Sequence, residues 1–369
     1  MAMFAHESFG RSLLAWYQSA ARKLPWRETS DPYAILVSEL MLQQTQVKTV
    51  IPYFLRFTKL FPTPEALATA QEQTVLKAWE GLGYYRRVRH LREAAQQITD
   101  AGGFPRDKPG IDALKGVGPY TSAAVASIAF GLPHACLDGN VIRVLCRLHA
   151  IDDDVSLSQT KAHLASLADE MLVEDKPGDY NQAMMELGAT VCTPRQPSCM
   201  ACPVNAFCAT RRLADDPHTR PFKSKKVKVS QMDYASLFLF CHERFLLCRR
   251  PEQGLMGNMW ELPAQTLANK EPWSELLEAQ IQAVAQLDKP VSHRFTHLLA
   301  RYHVAAFRCE TPTTWRESPR NYTDSRWFSR AELETVPLTK VFRKMLPKLM
   351  LLTEGDLPCT SKPSTLPGM

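Results

Sequence analysis

No apolar run in this chain of 369 residues approaches the roughly 20 residues needed to cross a bilayer. The N-terminus likewise lacks the apolar core of a secretion signal. The ten cysteines show no disulfide framework, so a reducing cytoplasm is the expected location. Charge is not extreme either. A net charge of +6 permits a polyanionic partner but falls short of a strongly basic domain. Together these absences exclude a membrane-spanning chain and a stapled secreted scaffold. What is present is a globular composition, 45% hydrophobic, in a chain longer than one core usually supports. Two domains are therefore expected.

The chain divides by pattern. Residues 1–212 carry apolar positions at helical period, such as Phe9, Leu13, Leu14, Trp16 and Tyr17, separated by breakers such as Asp31-Pro32 and Gly102-Gly103. Residues 213–230 are polar, with two prolines and clustered lysines, and read as a linker. From 231 to 352 the period shortens to two. Tyr234–Phe240, Phe245–Cys248 and Arg301–Arg308 read as strands, with a helix expected over Trp273–Gln286. Residues 353–369, rich in Pro, Ser and Thr, are expected to be a disordered tail. The fold class is thus an all-helical domain followed by an α+β domain.

Three local patterns carry chemistry. Gly116-Val117-Gly118-Pro119 precedes an apolar, small-residue helix. Glycines let backbone N–H groups approach an anion, and the helix N-terminus faces the same anion, as in a helix-hairpin-helix phosphate clamp. Cys192-x6-Cys199-x2-Cys202-x5-Cys208 sets four thiols in one short loop; the spacing suits either zinc or a 4Fe-4S cluster. Two carboxylates have opposed surroundings. Glu39 lies on a predicted helix beside Ile35 and Leu42, where desolvation raises its pKa. Asp138 precedes the helix starting near Val141, whose dipole favours the ionised form. One protonated and one ionised acid is the pairing that N-glycosidic bond cleavage needs.

The cysteine spacing, placed after the hairpin and Leu137-Asp138-Gly139-Asn140, resembles the endonuclease III superfamily of DNA glycosylases. Ser38-Glu39-Leu40-Met41-Leu42-Gln43-Gln44-Thr45 narrows the resemblance to the adenine DNA glycosylase (MutY) family, over nearly the whole chain. That resemblance implies a monomeric base-excision enzyme acting on double-stranded DNA, where adenine is mispaired with 8-oxoguanine or guanine. It also implies one 4Fe-4S cluster, structural in role, on Cys192, Cys199, Cys202 and Cys208.

Bifunctional relatives place a Schiff-base lysine two residues after the second hairpin glycine; this chain has Tyr120 there. The implied enzyme is therefore monofunctional, with water as the nucleophile. Glu39 and Asp138 are implied as catalytic, with Tyr120 beside them. Trp26, Arg27 and Glu186 are implied as the adenine pocket. Gln43, Gln44, Thr45 and Tyr84 are implied as wedge residues that hold the gap left by a flipped base, and Gly116 and Gly118 as phosphate contacts.

The second domain resembles a Nudix domain, but SELLEAQIQAV lacks the Arg-Glu and paired-Glu pattern that would hold magnesium. Pyrophosphatase chemistry is excluded, which leaves a binding module. Phe295, Thr296 and His297 match the family's Phe-Ser-His loop that reads 8-oxoguanine, with threonine in place of serine. The rival readings are a bifunctional pyrimidine glycosylase/lyase of the endonuclease III type and a non-catalytic lesion-binding protein.

Overall fold

The computed structural model of the chain describes residues 2–224 and 229–352. Two compact units emerge: Met1–Thr69 with Arg89–Lys226, and Ala70–Val88 with Val227–Met369. Among the described residues no helix is long and apolar enough to cross a membrane.

The chain begins with helices α1 (Ala2–Ala20), α2 (Pro32–Leu42), α3 (Val47–Leu60) and α4 (Pro64–Thr69), followed by α5 (Glu72–Trp79) and α6 (Arg86–Asp100). Next come α7 (Lys108–Asp112), α8 (Pro119–Phe130), α9 (Gly139–Leu148), α10 (Ser158–Glu170), α11 (Pro177–Thr190) and α12 (Ala209–Arg212). Helix α2 starts where the sequence dictates. Asp31 accepts from Tyr33 N at 3.1 Å and Ala34 N at 3.2 Å, and Pro32 fills the first helical position. Helices α2 and α8 are buried on nearly every side and pack on each other. An all-round apolar helix belongs in a protein interior. Helix α11 packs against α1, α8 and α9; Leu13, Val144 and Leu187 share one core cluster with Leu164 of α10.

The expected linker at residues 213–230 is only partly one. Arg220 is buried, paired with Asp152 at 2.8 Å and Asp215 at 3.0 Å. Phe222 O accepts from Val155 N at 3.0 Å, so Arg220 and Phe222 lie against the helical unit; Lys225, Lys226 and Lys228 fall outside the described residues.

The second unit is built on an eight-stranded sheet. Its strands are β1 (Ser230–Cys241), β2 (Arg244–Arg249), β3 (Trp260–Glu261), β4 (Ala264–Thr266), β5 (Gln282–Gln286), β6 (Val291–Arg294), β7 (Leu298–Arg308) and β8 (Asp324–Ser329). The order β3-β2-β1-β7-β5 places the parallel pair β1 and β7 at the centre; β4 pairs with β1, β6 with β7 and β8 with β2. Strand β1 alternates between two cores. Tyr234, Phe238 and Phe240 join the cluster that includes Phe342, Met345 and Leu349 of helix α14 (Lys340–Met350), ordered after the short helix α13 (Trp273–Leu276). Leu237, Leu239 and Cys241 face a smaller cluster with Leu277 and Cys309.

The helix expected over Trp273–Gln286 does not form. Helix α13 stops at Leu276, Leu277 bridges Trp315, and residues 282–286 become β5, antiparallel to β7 with a register shift between Ala283 and Ala285. The open edge of β7 supplies a ladder that local helical propensity does not outweigh. The expected disordered tail, 353–369, lies outside the described residues.

Candidate active site

A cavity of about 700 Å³ opens in the helical unit and collects side chains from α2, the hairpin before α8, the start of α9 and α11. Glu39, on buried α2, is 5% exposed. Burial pushes its carboxyl up to about 7, with Asp138 adding to the rise; the Tyr120 hydrogen bond and Arg27 only partly offset it. Tyr120 Oη donates to Glu39 Oε2 at 2.7 Å and contacts Met185 Sδ at 3.1 Å. Burial and the neighbouring acids raise the Tyr120 pKa well above the ordinary phenol value, so its proton stays in place.

Asp138 caps α9. Its Oδ1 accepts from Asn140 N at 2.9 Å and Val141 N at 2.7 Å, and its Oδ2 accepts from Asn140 Nδ2 at 2.7 Å. The helix dipole, expected to favour the ionised form, meets an opposing effect here. Burial lifts the Asp138 pKa above the usual aspartate value, and the Val141 and Asn140 hydrogen bonds oppose that rise. Glu39 has one hydrogen bond against its desolvation and Asp138 has three; the pKa of each is raised.

Around this pair the cavity wall includes Trp26, Arg27, Gln43, Gln44, Thr45 and Glu186. Trp26 packs edge-on to Phe54 at 5.5 Å, while the Arg27 guanidinium lies over Tyr17 at 5.4 Å. Glu186 is fully buried and accepts four N–H bonds. Arg22 supplies its backbone N at 3.2 Å, Nε at 2.7 Å and Nη2 at 2.8 Å, and Arg27 supplies Nη2 at 2.9 Å. Burial alone would raise the Glu186 pKa; the two arginines hold it below the ordinary range. Gln43 Nε2 donates to Thr121 at 3.3 Å, Thr45 Oγ1 donates to Gln43 O at 3.3 Å, and exposed Gln44 adopts φ +56°. A non-glycine residue in that region persists only when its surroundings fix it.

The hairpin glycines differ in kind. Gly116 has φ +74°, and a Cβ there would lie 2.4 Å from His90 Cβ. Gly118 is the N-cap of α8 at φ −96°, and a Cβ there would meet nothing within 4 Å. Gly118 is exposed and lines the cavity, where a helix N-terminus favours an approaching anion.

The four cysteines follow α11 in one loop. Cys192, Cys202 and Cys208 pack against the same apolar core, and burial raises the thiol pKa of Cys202 to about 11. Arg147 Nη1 reaches Cys192 Sγ at 3.4 Å. Among the described residues no three His, Cys, Asp or Glu side chains are arranged to hold a single metal ion. As a donor set, however, four soft thiols on one short loop, with an arginine beside one sulfur, fit an iron–sulfur cluster.

In the second unit, Phe295–His297 form the tip between β6 and β7. Phe295 is half-buried against the core, whereas Thr296 and His297 are exposed. Tyr84, 48% exposed, belongs to the same unit, and its Oη lies 3.0 Å from Thr296 Oγ1.

Two family models match the chain: the HhH-GPD superfamily of base excision DNA repair proteins over residues 37–170, and the NUDIX domain over residues 235–348. The human adenine DNA glycosylase is 33% identical over an alignment covering 92% of this chain and 73% of its own length. The rat adenine DNA glycosylase is 34% identical, covering 92% of this chain and 77% of its own. This chain belongs to the adenine DNA glycosylase family. A thermostable thymine-DNA glycosylase of known structure superposes with a TM-score of 0.52 at 29% identity, covering 57% of this chain and 99% of that one. The family fold thus supplies a DNA glycosylase enzyme.

Three residues of this family member escaped the sequence reading. Arg22 sits in a polar stretch with nothing to separate it from a surface arginine. Arg143 and Arg147 did leave a signal, two arginines one turn apart in an otherwise apolar helix. Arg143 joins Asn140 Oδ1 at 2.8 Å to Gly188 O at 2.7 Å and Cys192 O at 2.7 Å, tying the Asp138 cap to the first cysteine.

Proposed function

We propose that this chain is a monofunctional glycosylase that hydrolyses the N-glycosidic bond of adenine mispaired with 8-oxoguanine or guanine in duplex DNA, working as a monomer and leaving an abasic site. The observation that carries the reading is the pair Glu39 and Asp138 in one cavity, the first raised to about 7 and the second capped by three hydrogen bonds. Glu39, protonated near neutral pH, gives its proton to N7 of the flipped adenine, and Tyr120 orients it. As the base leaves with the bond electrons, ionised Asp138 stabilises the oxocarbenium-like sugar, by charge or through a transient acetal, and water completes the hydrolysis.

Trp26 and Arg27 would wall the base pocket, with Glu186 anchoring Arg27. None of the described residues lining the cavity is a lysine, which supports a route without a Schiff base. Cys192, Cys199, Cys202 and Cys208 would hold a 4Fe-4S cluster, which when bound ties together the loop after α11. Gly116 and Gly118 would take a phosphate, and Gln43, Gln44, Thr45 and Tyr84 would fill the gap beside the flipped base. Phe295, Thr296 and His297 would read the opposite 8-oxoguanine.

The deciding experiment is single-turnover incubation with an end-labelled duplex bearing adenine opposite 8-oxoguanine, read with and without alkali. Breaks only after alkali are expected. Breaks without alkali would mean that an amine acts as a lyase, and no breaks at all would point to a lesion-binding protein.

A further inference from the structure

Tyr84 stands at the end of a strained loop. Gly81 has φ +104°, Gly83 +73° and Tyr84 itself +50°. A tyrosine in the left-handed region is held there only by its surroundings. Part of the support is local. Trp79 Nε1 donates to Gly83 O at 3.1 Å, Gly81 N donates to Tyr85 Oη at 3.1 Å, and the Arg87 guanidinium lies 5.2 Å from the Tyr84 ring centre.

The remaining support comes from the sheet-bearing fold of the same compact unit. Helix α5 is stitched to it along its length. Glu72 accepts from Asn258 Nδ2 at 3.0 Å, Gln73 Nε2 donates to Asn258 O at 3.1 Å, and Trp260 Nε1 donates to Gln73 Oε1 at 3.2 Å. At the far end, Lys77 Nζ donates to Val336 O at 3.0 Å. Glu80, the C-cap of α5 and the last residue before the loop, completes the row. Its Oε1 accepts from Arg343 Nε, and its Oε2 accepts from Leu338 N at 3.2 Å and Lys77 Nζ at 3.1 Å. The Glu80 side chain is only 12% exposed.

We propose that Glu80 is a positioning residue for opposite-base recognition: its latch to Arg343 and Leu338 fixes the loop that presents Tyr84 beside Thr296. The Nudix-like fold then contributes twice, through its own hairpin tip and by holding the tyrosine that shares that tip's hydroxyl. This rests on the proposed function, in which Tyr84 and Thr296 meet the mispair. Glu80 touches no reacting atom; it acts through the loop.

The test uses the full chain as wild type, Glu80→Ala, Arg343→Gln, Tyr84→Ala and the Glu80→Ala/Tyr84→Ala double variant. Amide hydrogen exchange without DNA should show residues 81–85 losing protection in Glu80→Ala and Arg343→Gln, while β1 and β7 keep theirs. Affinity for adenine opposite 8-oxoguanine, relative to adenine opposite guanine, should fall about tenfold in Glu80→Ala, and the double variant should be no worse than Tyr84→Ala alone. The single-turnover rate at saturating enzyme should stay within about twofold of wild type, which separates positioning from chemistry. Unchanged protection at 81–85, additive losses, or a rate that falls with affinity would each overturn the proposal. Absence of adenine release by wild type would instead defeat the functional reading, and hydrogen exchange would still decide the latch.

Discussion

Glu39 concentrates the cost and the use of the site in one side chain. Its folded pKa of about 7 lies above the ordinary 4.5, so the folded state holds a proton that the unfolded chain has released. The linkage sign follows. Below pH 4.5 both states are protonated and Glu39 carries no penalty; as pH rises to 7 and beyond, its buried charge increasingly disfavours folding. Glu39→Gln should therefore stabilise the protein at pH 8 by about 1–3 kcal/mol and leave pH 4 stability nearly unchanged; denaturant unfolding at the two pH values measures it. The same variant should abolish base release while binding of the mispaired duplex persists. A large loss of binding would make Glu39 structural. With wild type, the single-turnover rate should decline as pH rises through about 7, because the proton donor is lost.

At the scale of elements, the hairpin before α8 offers two glycines with different duties. Gly116→Ala would meet both a left-handed backbone and His90, costing about 2–4 kcal/mol of stability. Gly118→Ala would add a methyl group to open space, changing stability by no more than about 0.5 kcal/mol, yet it should weaken duplex binding by screening the N–H. Thermal melts beside binding titrations distinguish the two. On the β6–β7 tip, Thr296→Ala with His297→Ala should reduce discrimination between 8-oxoguanine and guanine more than it slows release; equal effects on both opposite bases would sink that assignment.

These elements also mark how far the sequence could be read. The breaker Asp31-Pro32 and the helix-preceding Asp138 both fall at helix starts, where each aspartate caps the backbone N–H groups that follow. The alternation in Tyr234–Phe240 likewise found its strand. Trp273–Gln286 misled because its fate depends on β7, a partner more than ten residues downstream. Glu186 was singled out, but its saturation by Arg22 could not be foreseen, since the two are 164 positions apart. What was legible was set by near neighbours; what was missed was set by distant ones.

For the whole molecule, the cysteine loop supplies a visible check. Purified protein should be brown, with the absorbance of a thiolate-held iron–sulfur cluster. Cys202→Ser should bleach it and lower the melting temperature of the helical unit, where Cys192, Cys202 and Cys208 pack against the core. A colourless, zinc-loaded preparation would contradict the cofactor assignment.

The division of the chain has a consequence in time. Gln73 and Asn258, hydrogen-bonded in the finished protein, are 185 positions apart. At synthesis rates of about 5–20 residues per second, the first is made roughly ten to forty seconds before the second. During that interval α5 has none of the sheet it is destined for, so Glu72, Gln73 and Glu80 remain in water. Birth order therefore runs against assembly order: the recognition unit receives its first helix early and can finish only when the last third of the chain has been made.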